Sequence, residues 1–256
     1  MTILCLHGSY GSAGKFKIQL GTLVEAVQKT DSVQFKWIDG GHNITPPDNF
    51  ANYFGTPPYY RFFAFDGVSA LDTIVTKIRD FPTGMTAEDT IRKLINEEAL
   101  AKLDTIQSTL DRIFKIIDED PSIDGLIGYS EGATLAATLI MEERRRSEEE
   151  GRPRRINHAV FLAGWPPLRL SPSTNSVGCV LADECEDLID VPTCHIIGCK
   201  DPYIHGAMAL FGVCDDDTAV LFDHGSGHTV PRDAQTIQEL AEVIKGVRQQ
   251  GKKCGW

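Results

Sequence analysis

The chain has 256 residues, 42% of them hydrophobic and 24% charged, and its 36 acidic against 25 basic side chains give a formal net charge of -11. That composition suits one large globular α/β domain, and the acidic excess works against nucleic acid as a partner, because such binding needs clustered Lys and Arg to meet phosphates. No apolar run approaches the roughly 18 residues of a membrane span, so no membrane role is expected.

The opening MTILCLHG reads as a strand, not as the charged and apolar regions of a secretory signal, and the cytoplasm is the expected compartment. Cys5, Cys179, Cys185, Cys194, Cys199, Cys214 and Cys254 make an odd set, several within strand-like runs, which suits reduced thiols. No CxxC pair is present. Neither a metal nor a dissociable cofactor is expected.

In chain order, a strand over residues 2 to 6 is followed by a helix from about Lys15 to Gln28 and a second strand from Val33 to Ile38. Residues 39 to 70 are rich in Pro, Gly and aromatics, too broken for a regular element and too apolar for a disordered linker. A long loop of this kind is often a binding loop or lid; the competing reading is aromatics covering a core edge. Residues 71 to 101 carry further helical stretches, so about 40 to 101 reads as a cap or lid insertion within a single domain spanning 1 to 256. Helices are then expected over residues 105 to 117, 132 to 146, 206 to 211 and 234 to 248, and strands over 124 to 128, 158 to 163, 193 to 198 and 219 to 222. The run EERRRSEEEGRPRR, 142 to 155, reads as the solvated end of a helix with weak pairs at helical spacing. The fold class is therefore α/β: about six mostly parallel strands with helices on both faces, joined by βαβ crossovers. Chemistry in such sheets gathers at the carboxyl ends of the strands.

One strand end stands out. In GLIGYSEGATLAATL, 125 to 139, Ser130 sits between Gly128 and Gly132 where an apolar run gives way to a helical pattern. Reversing the chain that sharply needs positions without a Cβ, because the flanking backbones nearly touch. GxSxG is a frequent coincidence in Gly-rich chains, so its context decides. A serine hydroxyl needs a base in contact, and the base needs a carboxylate to fix its tautomer. Both follow at later strand ends: Asp201 in CKDPYI and His228 in DHGSGHTVP, before a helix whose start Pro231 marks. The order Ser, Asp, His is that of a nucleophile elbow and its partners in α/β-hydrolases.

Competing assignments exist. His224 is a second candidate base, although the intervening Gly-Ser-Gly argues against a helical metal pair. Asp215, Asp216, Asp217, Asp223 and Asp233 are other carboxylates, His205 could line a pocket or face solvent, and His158 and His195 read as structural. For the oxyanion, the backbone N–H of Glu131 follows the nucleophile directly, and LCLHGSYGSAG, 4 to 14, supplies a second donor: Ser9 first, Tyr10 as the alternative. That loop matches neither GxGxxG nor GxxxxGK[ST], which speaks against a nucleotide cradle.

Together LCLHGSYGSA, GYSEGA, GCKDPYI and HGSGHTVP resemble the fungal FSH family of small serine hydrolases, related to ovarian-cancer-associated protein 2 and to lovastatin-pathway thioesterases. The resemblance runs over nearly the whole chain and is weakest over residues 66 to 120. It implies a compact α/β-hydrolase in which Ser130 is the nucleophile, Asp201 the orienting acid and His228 the base. It also implies a small-molecule acyl ester or thioester as substrate, with a synthase carrier domain as a candidate partner and product release or trimming in fungal secondary metabolism as the setting. The stretch PPYYRFFAF is similar to a segment near the substrate pocket of relatives, and aromatic walls suit an apolar acyl group; Tyr59, Tyr60, Phe62 and Phe63 are the expected pocket contacts. Two other classes stay open: a catalytically silent ligand-binding or synthase-associated protein, and an acyl transferase or cyclase in which a substrate hydroxyl replaces water.

Overall fold

Five-residue runs that are apolar on both faces can only be inner strands of a covered parallel sheet. β1 (Thr2–Leu6), β6 (His158–Leu162) and β9 (Thr193–Ile197) are buried at every position, in a computed structural model that describes all residues but 47–53, 65–85, 98–102, 172–175, 185–188 and 255–256. With β2 (Gln34–Ile38), β5 (Ile123–Tyr129) and β10 (Ala219–Asp223) they form one six-stranded sheet in the order β10-β9-β6-β5-β1-β2, parallel throughout. All six strands expected from the sequence are in it.

The period of two divides each strand between the faces. Leu4, Leu6, Leu126, Ala159 and Phe161 join one core with helices α4 (Leu103–Glu119) and α5 (Glu131–Glu150). Ile3, Cys5, Ile127, Val160 and Leu162 face the other way, against α1 (Ala13–Gln19), α2 (Gly21–Thr30) and α7 (Ala234–Cys254). A smaller cluster of Ile91, Cys179, Leu181 and Ala209 joins α3 (Ala87–Glu97) to α6 (Ile204–Gly212).

The expected helix over 15 to 28 is two helices meeting at Leu20, whose fully buried side chain pins the junction. Two antiparallel pairs escaped the sequence reading: β3 (His42–Asn43) with β4 (Tyr60–Arg61), and β7 (Leu168–Ser171) with β8 (Ser176–Cys179). Of the expected lid, residues 47–53, 65–85 and 98–101 lie outside the described residues; the described remainder supplies β3, β4 and α3.

The charge run is not simply solvated, and that expectation is corrected. Glu143 is buried where it caps the chain's return, accepting from the backbone N–H groups of Arg155 and Ile156, and Arg146 lies over the Phe114 ring at 4.1 Å while reaching Glu142 and Asp111. Gly151 ends α5 in the left-handed conformation at φ 66, with its N–H returned to the last turn.

Because β2 lies on one side of β1 and β5 on the other, the chain changes winding direction between β1 and β5. In an open parallel sheet the crevice at such a switch point, outside the carboxyl ends of the strands, is where ligands bind. The loop after β1 and the turn holding Ser130 meet there.

Candidate active site

Ser130 closes β5 and opens α5 with φ 53 and ψ -119, a conformation a residue with a Cβ adopts only when its surroundings force it. Its N–H donates to Leu162 of β6 at 2.8 Å and its carbonyl accepts from Ala133 and Thr134, so the backbone is held on both sides. Its hydroxyl makes no capping bond to the helix it begins. The two flanking glycines are steric necessities: a Cβ on Gly128 would lie 2.3 Å from the Gly132 carbonyl oxygen, and one on Gly132 would lie 2.1 Å from that of Leu6. A Cβ on Gly8 would stand 3.3 Å from Ser130 Cβ, which shows how closely the β1 loop approaches the serine.

His228 Nδ1 lies 2.7 Å from Asp201 Oδ2. Asp201 is buried and follows β9, and its other oxygen accepts from the Tyr203 N–H at 2.8 Å. A carboxylate can only accept, so the imidazole proton sits on Nδ1 and Nε2 presents a lone pair. The two loops that carry this pair are fastened together: Lys200 N–H donates to Ser226 at 3.0 Å, and a Cβ on Gly198 would come within 2.1 Å of the same carbonyl oxygen. Tyr129 donates its hydroxyl to the His228 carbonyl at 2.9 Å, and the rings of Tyr129 and Tyr203 flank the imidazole with centroids at 5.3 Å and 4.9 Å. The sequence reading missed both tyrosines, although each is adjacent to or two positions from a site residue.

The rival candidates have other work. His224 continues the sheet through its N–H to Ile197, and among the described residues its ring bonds no carboxylate. Asp223 gathers the N–H groups of Gly225 and Cys199, which hold its carboxyl below the usual range; Asp215 accepts within a turn, and Asp233 caps α7 through Thr236. His158 and His195 are buried inside strands, as expected of structural histidines.

Glu131 opens α5, so its N–H has no carbonyl four residues back within the helix. Ser9 lies inside a turn closed by Gly11 N–H to the Gly8 carbonyl at 3.0 Å, in which Tyr10 takes φ 61. A serine in an elbow and an oriented imidazole are parts that acyl transfer needs.

A family model described as serine hydrolase (FSH1) matches residues 1–240. The chain belongs to the FSH1 serine hydrolase family. Among curated relatives of this FSH1-family chain, esterase FPY3 of Fusarium mangiferae is 26% identical over 250 residues, covering 96% of each chain. Hydrolase phiM of Talaromyces stipitatus is 23% identical over 243 residues, covering 94% of this chain and 84% of phiM. The crystal structure of Arabidopsis thaliana SOBER1 has the same fold at 13% identity, with a TM-score of 0.56 over 97% of this chain and 99% of that one. The family and the α/β-hydrolase fold are those the sequence motifs led us to expect.

In this FSH1-family hydrolase a cleft of about 540 Å³ opens between the Gly8–Gly11 turn, Lys15 and Gln19 of α1, and the loop Ser226–Arg232, with His228 and Tyr129 in its wall. None of the four aromatics expected to wall the pocket lines it. Phe62 and Phe63 are fully buried in the core beside Leu4 and Leu6, and Tyr59 is buried with its hydroxyl on the Gly55 carbonyl and Lys15 Nζ 3.9 Å above its ring. Tyr60 pairs its N–H with the Gly11 carbonyl at 2.8 Å. The physical reason is that an apolar run signals burial without saying whether protein or ligand does the burying. Tyr10, the alternative oxyanion donor, does line the cleft, as do Phe54, Val230 and Pro231.

Proposed function

We propose that the chain hydrolyses an acyl ester or thioester through Ser130, His228 and Asp201 by way of an acyl-enzyme. The observation that carries this reading is the 2.7 Å contact of Asp201 with His228 Nδ1, which leaves Nε2 as a base at the same end of the sheet as a serine held at φ 53. His228 Nε2 takes the hydroxyl proton as Ser130 Oγ attacks the carbonyl carbon, and the N–H groups of Ser9 and Glu131 hold the oxyanion. The tetrahedral species collapses, His228 returns the proton to the departing alcohol or thiol, and a water deprotonated by His228 releases the acid. The relatives named esterase and hydrolase support an acyl substrate.

Tyr10, Phe54, Val230 and Pro231 offer apolar surface to the acyl group, while Lys15 and Arg232 place two cations along the same cleft. The reading extends to product release or trimming in fungal secondary metabolism. A synthase carrier as acyl donor would have to meet this cleft against a chain of net charge -11, and Lys15 and Arg232 are the positive groups positioned to receive it.

A fluorophosphonate probe tests the reading, with the modified peptide located by mass spectrometry. Adduct on Ser130 that is lost in Ser130→Ala and His228→Ala is the expected result. A folded protein that stays unlabelled, or is labelled elsewhere, would overturn it.

A further inference from the structure

The side chain of Glu131, as distinct from its N–H, has no role in the mechanism just given, yet it is buried and takes four donors. Ser9 Oγ and Arg61 Nε, the latter at 3.0 Å, donate to its Oε2; the backbone N–H groups of Phe62 and Phe63 donate to its Oε1 at 2.6 Å and 2.9 Å. A carboxylate has about four lone-pair sites, and all are used. Arg61 extends the contact by lying over the Tyr10 ring at 5.7 Å, and the neighbouring Tyr60 N–H holds the Gly11 carbonyl.

We propose that the Glu131 carboxylate is a positioning group that fastens the Ser9–Tyr10 turn, with its oxyanion donor, to the helix that begins at the nucleophile. The inference rests on the triad reading above and goes beyond it. A donor works only where the oxyanion will form, and a misplacement of about 1 Å can cost on the order of a hundredfold in rate. The turn needs such a fastening, because Tyr10 at φ 61 pulls it toward more relaxed backbone. Residue 131 is the natural anchor, since its own N–H is the other donor: one residue fixes the spacing of both halves of the oxyanion site. The segment 60 to 63 is thus a brace for that site and not a pocket wall.

Ser9→Ala removes only the hydroxyl that Glu131 holds and keeps the Ser9 N–H; Ser9→Thr keeps the hydroxyl. Kinetics on a p-nitrophenyl ester and the rate of fluorophosphonate labelling, both well below the melting temperature, read the effect. In Ser9→Ala, kcat and the labelling rate should fall on the order of tenfold with KM changed by less than about twofold, and Ser9→Thr should recover most of the loss. Glu131→Gln should lose at least as much as Ser9→Ala, and adding Ser9→Ala to it should cost little more, as partners in one contact behave. Folded Ser9→Ala and Glu131→Gln proteins with wild-type kcat and only a lowered melting temperature would overturn the proposal and leave the triad standing. Wild-type protein that takes no label on Ser130 would overturn the triad reading, and this proposal with it.

Discussion

At Asp201 the two carboxylate oxygens have separate duties, one accepting from the Tyr203 N–H and the other facing His228 Nδ1. In Asp201→Asn the amide oxygen keeps the Tyr203 bond, which turns the amide N–H groups toward Nδ1 and drives the imidazole proton to Nε2. The base then has no lone pair for the serine. We expect kcat to fall on the order of 10,000-fold with the melting temperature nearly unchanged, and His228→Ala combined with it to be little worse than the poorer single variant; steady-state kinetics on one ester checks both, and multiplicative losses would contradict a unit. The Asp201–His228 pairing was legible in the sequence because Asp201 and His228 each follow a strand run in the required order. Tyr129, Tyr203 and the Glu131 carboxylate were not, since a tyrosine or glutamate beside a motif carries no mark of where its side chain goes. Phe62 and Phe63 were misread for the converse reason: their burial was visible, but what buries them was not.

Among the elements, the elbow is the most constrained. The β1 loop, the turn at Ser130 and the start of α5 share one space, and the contact that a Cβ on Gly132 would make is with backbone, which cannot swing aside as a side chain can. Gly132→Ala should therefore destabilise the fold by at least about 3 kcal/mol, the upper end of what overpacking usually costs; a urea midpoint within error of wild type would refute this. The six strands were legible as short β-rich runs between helical stretches, and α5 and α7 as long periodic segments. β3 with β4 and β7 with β8 were illegible because segments of two to four residues hold together only by pairing with each other, and no local pattern announces the partner. In the charge run, Glu143 and Arg146 face inward because the helix turns them toward the Arg155–Ile156 backbone and Phe114, where satisfied polar contacts replace water.

For the molecule as a whole, buried imidazoles set the response to acid. His158 in β6 and His195 in β9 are pushed down to about 3 from 6.5, chiefly by burial and, at His158, by the nearby charges of Arg248 and Lys252. Between those values the unfolded chain binds protons that the folded one refuses, so stability is full above about pH 6.5 and is lost as pH falls. Glu143 opposes this: burial raises its carboxyl to about 6 from 4.5, so it contributes stability that is present below 4.5 and lost as pH rises through 6. Two histidines with the larger displacement outweigh one glutamate. Thermal melts should show a lower melting temperature at about pH 5 than at about pH 7, with a shallower slope in His195→Gln; no change between the two pH values would contradict the assignment. The sequence by itself determined the parallel α/β sheet, the strand ends that carry Ser130, Asp201 and His228, and the family, because apolar runs and glycine spacings are local and each strand's chemistry sits at its own end. Only the tertiary structure decided that Tyr59, Phe62 and Phe63 serve the core, that Lys15, Phe54 and Arg232 line the cleft, and that the Glu131 carboxylate meets Ser9, Arg61 and the backbone of Phe62 and Phe63. Those facts depend on which distant surfaces the crossovers bring into contact, and burial looks the same in sequence whether a neighbouring element or a substrate supplies it.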